Sequence, residues 1–147
     1  MKEKIVQQHL LLLQDKEDVF RDIISGLTID AQNDAKGSAG DKHETALSMM
    51  HLEQEKLTKK LHEIAAQKSI LQHIDRTKKH NKITLGSLVK ANTIWLFVSA
   101  ALPKIEIDTH VIISLSPNSP LGLELMGKTT GDEFKINNTP YKIVSVE

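Results

Sequence analysis

Asn33-Asp34-Ala35-Lys36-Gly37-Ser38-Ala39-Gly40-Asp41 separates two stretches with the same hydrophobic rhythm. Two Gly, a Ser and an Asn within eight residues are turn chemistry, so 33–40 reads as a turn. Before it, from Lys2 to about Gln32, Val6, Leu13, Phe20 and Leu27 recur every seven residues, with Leu10, Ile23 and Ile24 between them. After it, from Asp41 to about Lys79, Leu47 and Leu61 alternate with Met50, Leu57, Ile64 and Leu71 in steps of three and four. Each pattern is one apolar stripe on a long helix. Neither stripe is wide enough for burial on its own. A short connection between two matched stripes therefore predicts an antiparallel helical hairpin. Gln54 and Lys68 interrupt the second stripe, which points to a single weak hairpin and a monomer.

Outward from the hairpin the grammar changes near Lys82. All four Pro and four of the seven Gly lie beyond it, among many Ile, Val and Thr. Strands are predicted over 87–91, 93–99, 111–115, 133–136 and 141–146, with breaks at Gly86, Pro103, Pro117/Asn118, Gly127, Gly131/Asp132 and Asn137/Asn138. Ser119-Pro120 before Leu121–Met126 and Gly127 is a helix signature: Ser119 as N-cap, Pro120 at the first helical position, Gly127 at the C-terminal end. The expectation is an α+β chain. Residues 1–80 form the hairpin, with its tip at about 33–41, and residues 83–147 form a small, mostly antiparallel sheet with one short helix.

Composition removes several functions. The chain has 147 residues, enough for one ordinary domain or two small ones. It contains no Cys, which excludes disulfides, Cys-ligated metals and a thiolate nucleophile. Lys+Arg and Asp+Glu are 19 each, an unfavourable balance for neutralising duplex phosphate. Aromatics are 3%, too few for a base-stacking surface. No run approaches the ~20 apolar residues of a membrane span. The run Leu10–Leu13 is stopped by Gln14-Asp15-Lys16-Glu17 without a cleavage site, so no signal peptide, no membrane and a cytoplasmic location are expected.

Candidate chemistry concentrates at the turn, where Asp30, Asp34, Asp41 and Glu44 fall together. Exposed carboxylates are hard oxygen ligands suited to Mg²⁺, which keeps most of its waters and takes one or two protein ligands. Such a tip lends ligands to a metal held elsewhere, and no tightly bound cofactor is expected. The alternative is structural: Asp41 and Glu44 form the Asp-x-x-Glu capping box of the second helix. The seven His lack any i, i+4 pair. His51, His62 and His73 return to one helix face only every ~16 Å, so all are read as solvated. Arg76, Lys78, Lys79, His80 and Lys82 form a basic cluster, read as a helix C-terminus or as a contact for phosphate or an acidic partner. No phosphate loop and no Ser-His-Asp context occur.

The segment Ser116–Phe134, with Ser119-Pro120-Leu121-Gly122 and Gly127-Lys128-Thr129-Thr130-Gly131-Asp132, resembles the hallmark of the Gre transcript-cleavage factors (GreA/GreB). In that family an SP-x-G-x-A-L-x-G-K-x-x-G-D pattern precedes the final hairpin. Ile83-Thr84-Leu85-Gly86-Ser87-Leu88-Val89 is similar to the family's entry into its C-terminal domain, and Tyr141–Val146 to its closing strand. The resemblance implies a coiled-coil hairpin followed by an FKBP-like sheet domain. It implies a transcription elongation factor that enters the secondary channel of bacterial RNA polymerase. It is not itself an enzyme: tip carboxylates help hold a Mg²⁺ shared with the polymerase, which then cleaves the 3′ end of backtracked RNA. On this resemblance Asp34 stands at the family Asp, while an alternative register pairs Asp41 with Glu44, so Asp34 and Asp41 are the candidate metal-positioning residues and Glu44 the third tip carboxylate. Gly37 stands where the family has its Glu, so a channel-binding regulator without cleavage is the alternative. A coiled-coil adaptor outside transcription is the reading that needs no resemblance.

Overall fold

A computed structural model describes the backbone of residues 1–37 and 40–147, and the side chains of these except residues 31, 34–37 and 40–43. Two long helices come first, α1 (Lys2–Gly37) and α2 (Gly40–His73). Six strands follow, β1 (Leu88–Ala91), β2 (Ile94–Val98), β3 (Leu102–Ile107), β4 (His110–Leu115), β5 (Glu133–Ile136) and β6 (Thr139–Val146), with the short helix α3 (Pro120–Leu125) between β4 and β5. The chain is α+β with an N-terminal helical hairpin.

The chain divides into two compact units, residues 11–68 and residues 1–10 with 69–147. In the first, α1 and α2 run antiparallel. Their contacts fall in opposite order along the two helices: Thr28 meets Gln54, Phe20 meets Lys60, and Gln14 and Glu17 meet Lys68. Leu13, Leu57 and Ile64 are buried in the seam. The two polar interruptions are paired across it. Gln54 Nε2 donates to Thr28 Oγ1 at 2.9 Å, and Lys68 Nζ donates to Gln14 Oε1 at 2.6 Å and Glu17 Oε2 at 2.7 Å. Ile23 departs from the predicted stripe and is exposed.

Both helix boundaries near the turn and at the far end differ from expectation. The connection predicted over 33–40 is shorter: Asn33 to Gly37 remain in α1, where Ala35 and Lys36 are good helix formers, and α2 already begins at Gly40. At 36 and 34 residues the helices are each roughly 50–55 Å long. α2 ends at His73, not near Lys79. Asp75 explains the stop: its Oδ1 accepts from Thr77 N at 3.0 Å and Thr77 Oγ1 at 2.7 Å, an Asx turn that competes with the helical ladder.

In the second unit the strands form one sheet in the order β3-β4-β2-β1-β6-β5. Four pairings are antiparallel, as expected. The fifth, β2 with β4, is parallel, aligning Trp95 with Ile112 and Val98 with Leu115. The strand β3 was not expected, because Pro103 reads as a break. It occupies the sheet edge, where a residue without an N–H is tolerated. The link from β2 into β3 is closed by two buried hydroxyls: Ser99 Oγ lies 2.6 Å from Ser114 Oγ, which donates to Ala100 O at 2.8 Å.

One sheet face carries Val89, Ala91, Leu96, Val98, Leu115, Phe134 and Ile143, packed with Ile83 and Leu125 of α3. The alternate residues Leu88, Phe97, Ile105 and Ile112 are buried as well. In the same unit Ile5, Val6, Leu71 and Ile74, from the roots of the two helices, are buried. Lys4 Nζ joins Asp108 Oδ2 at 2.9 Å, between α1 and the β3–β4 turn.

Candidate functional site

The hairpin end is the candidate site predicted from sequence. Asp30 and Asp34 lie four residues apart in the last two turns of α1, and such a pair shares one helix face. Asp41 and Glu44, three apart, share a face of the first turns of α2. The backbone thus gathers all four residues at one end of unit 11–68. Glu44 and Asp30 are exposed; the side chains of Asp34 and Asp41, the predicted metal ligands, lie outside the described residues. Asp41 is the second residue of α2, and the capping box read for Asp41 and Glu44 rests on a side chain outside the described residues. Among the described residues no cluster of three or more metal-ligating side chains occurs. Carboxylates are the right donors for Mg²⁺, but two or so at an exposed helix end can only complete a coordination sphere supplied mostly by another molecule.

The signature of the sheet domain has a different role, since each marked residue has a backbone task. Ser119 is the N-cap of α3: its Oγ accepts from Gly122 N at 3.0 Å while donating to Ser116 O at 2.7 Å. Gly122 is required by space, because a Cβ there would meet Ser116 O at 2.1 Å and the Pro117 backbone at 2.8 Å. Gly127 and Gly131 are required by conformation, with φ of +82° and +94°. Gly127 N donates to Ile83 O at 2.9 Å and Ile83 N to Lys128 O at 2.8 Å, which ties the signature to the entry segment. Asp132 Oδ2 accepts from Thr129 N at 2.9 Å and closes the turn between them. The signature residues Ser119, Gly122, Gly127, Gly131 and Asp132 therefore each serve the fold.

The basic cluster lies in the turns after α2, not on a helix C-terminus. Arg76 pairs with Glu3 at 2.8 Å, and Lys78 O accepts from the buried Lys2 Nζ at 2.7 Å. A shallow cleft of about 290 Å³ here is lined by Lys2, Glu3, Arg76, Lys78, Lys79 and Glu147. Both charge signs line it, so it is not a dedicated anion site. Of the histidines, His51, His62 and His73 are exposed as expected. His80 is not fully solvated: its Nδ1 lies 2.8 Å from Ser87 Oγ, and burial, then Lys2 and Lys78, lower its pKa. His9 overturns the expectation outright, being 1% exposed. Its place in the first apolar stripe, three residues after Val6 and four before Leu13, was the signal for burial.

Among known proteins, no family model and no curated protein matches this chain. No helix of the described residues is long and apolar enough to cross a membrane.

Proposed function

We propose that the chain is a Gre-like transcription elongation factor that engages the secondary channel of bacterial RNA polymerase through its helical hairpin. The observation that carries this reading is the pairing of two helices of 36 and 34 residues whose shared end holds Asp30, Asp34, Asp41 and Glu44. A slender acidic arm suits a narrow passage to a metal centre, and a sheet domain with the Ser119–Asp132 signature suits a docking base. The catalyst in this reading is the polymerase. In this reading Asp34 and Asp41, with Glu44 as the third carboxylate, would supply oxygen ligands to a Mg²⁺ of the polymerase, and that ion would supply the activation of water for phosphodiester hydrolysis. The likeness to the FKBP-like shape belongs to this proposal and carries no isomerase activity with it.

The test uses a stalled, backtracked bacterial polymerase with 5′-labelled RNA. Shortened RNA on addition of the protein, lost in Asp34→Ala or Asp41→Ala, supports cleavage stimulation. Gly37 at the position of the family's second carboxylate favours a second reading, a channel-binding regulator. Competition with a cleavage factor for polymerase, without shortened RNA, selects that reading. Absence of binding to polymerase removes both.

A further inference from the structure

His9 is a buried titratable group that the proposed function does not use. It sits in the third turn of α1 and is 1% exposed. Its Nε2–H donates to Pro103 O on the edge strand β3 at 3.2 Å. That contact fixes the neutral tautomer, with the lone pair on Nδ1. Nδ1 is buried and has no hydrogen-bond partner among the described residues. Within the same compact unit, α1 makes a second side-chain link at this edge, Lys4 to Asp108.

The charges on the surrounding elements do not offer Nδ1 an acceptor. On α1, Glu3 already binds Arg76 and Gln7, Lys4 binds Asp108, and Lys2 binds Lys78 O. On β3, Lys104 and Glu106 are exposed. At the end of α2 the exposed His73 Nδ1–H donates to Ser69 O at 2.7 Å, and after α2 Asp75 is taken by Thr77. A second proton on His9 would therefore create a buried imidazolium with one N–H unmatched, a costly state.

We propose that His9 is an acid-sensitive clasp, and that its protonation releases residues 4–10 of α1 from the edge strand β3 and its turn while the sheet stays folded. Geometry fixes the direction. Burial, against a smaller opposing effect from Pro103 O, holds the imidazole below its ordinary value of about 6.5. A histidine depressed in the folded state stabilises it fully above that ordinary value. The stabilisation is lost as pH falls below it, by at most about tenfold in the opening equilibrium per pH unit. Release would also free Pro103 O, a backbone acceptor on an edge strand.

Hydrogen exchange of the full chain at pH 7.5 and pH 5.5, corrected for intrinsic rates, tests the clasp. Amides of residues 5–10 are expected to lose protection several-fold, up to about tenfold, relative to those of β1 and β2. His9→Leu, which fills the site without titrating, is expected to abolish that change, whereas His80→Gln leaves it in place. A change that persists in His9→Leu, or that vanishes only in His80→Gln, overturns the proposal. Should His9→Leu fail to fold, NMR titration of the wild-type His9 ring decides. A pKa below 6.5 supports the clasp and one at or above it refutes it. None of these outcomes depends on polymerase, so the clasp and the proposed function stand or fall separately.

Discussion

Gly122 and Gly131 sit nine residues apart in the same signature and are glycine for opposite reasons. At Gly122 the limit is space: Ser116 O and the Pro117 backbone occupy the volume of a Cβ, and backbone cannot swing away. At Gly131 the surroundings are open and the limit is φ, +94°. Gly122→Ala is thus expected to destabilise the sheet unit by about 1–3 kcal/mol or more through overpacking. Gly131→Asn should cost less, because Asn tolerates positive φ better than other residues. Urea denaturation followed by Trp95 fluorescence checks the ranking. Equal losses in the two variants would mean that Gly122 is also held by conformation. Both glycines stand in the Ser116–Phe134 signature, and Gly131 also reads as a strand break, yet the sequence could not separate the two causes, since the approach of Ser116 O exists only after the chain has turned.

At the scale of the element, the hairpin was legible because heptad spacing survives two polar intrusions, and what those intrusions do became clear only in three dimensions. Lys68 crosses the seam to Glu17, whose carboxyl is held below its usual range by hydrogen bonds from Lys68 and then Arg21. A depressed carboxylate stabilises the fold above its ordinary pKa of about 4.5, and that contribution is lost as acid protonates it. Helicity at 222 nm between pH 6 and pH 3 should therefore fall earlier and further in wild type than in Glu17→Gln, which has no charge to lose. Identical profiles would show the crossing to be without weight in the hairpin. The elements that the sequence hid share one trait: they rest on contacts that hydrophobic periodicity and the usual turn residues do not register. The strand β3 contains Pro103 and forms because β4 supplies its ladder, from Leu102 with Ser114 to Ile107 with His110. Its tight turn uses Asp108 and Thr109 at φ of +49° and +71°, not the Asn-Gly pair that advertises such a turn. The early end of α2 rests on one local side chain, Asp75, that helical periodicity does not register.

For the whole molecule the decisive feature is that the two compact units do not coincide with hairpin and sheet. The first ten residues and residues 69–83 lie in the sheet unit, where Ile5, Val6, Leu71, Ile74 and Ile83 are buried. The seam of unit 11–68, in contrast, buries Leu13, Leu57 and Ile64. Replacing residues 11–68 by a short Gly/Ser turn joining Leu10 to Ser69 should therefore leave a folded protein that retains Phe97, Leu96 and Ile112 in its core. A truncation beginning at Ile83 should not, because it strips α1 and the end of α2 from the unit that contains them. Amide protection of β1, β2 and β4 measures both. Preserved protection in the 11–68 replacement, together with loss of all effect on backtracked polymerase, would assign folding to one unit and activity to the other. Equal protection in the truncation from Ile83 would instead make the helix roots dispensable, and the burial of Ile5 and Leu71 would then serve the helices alone.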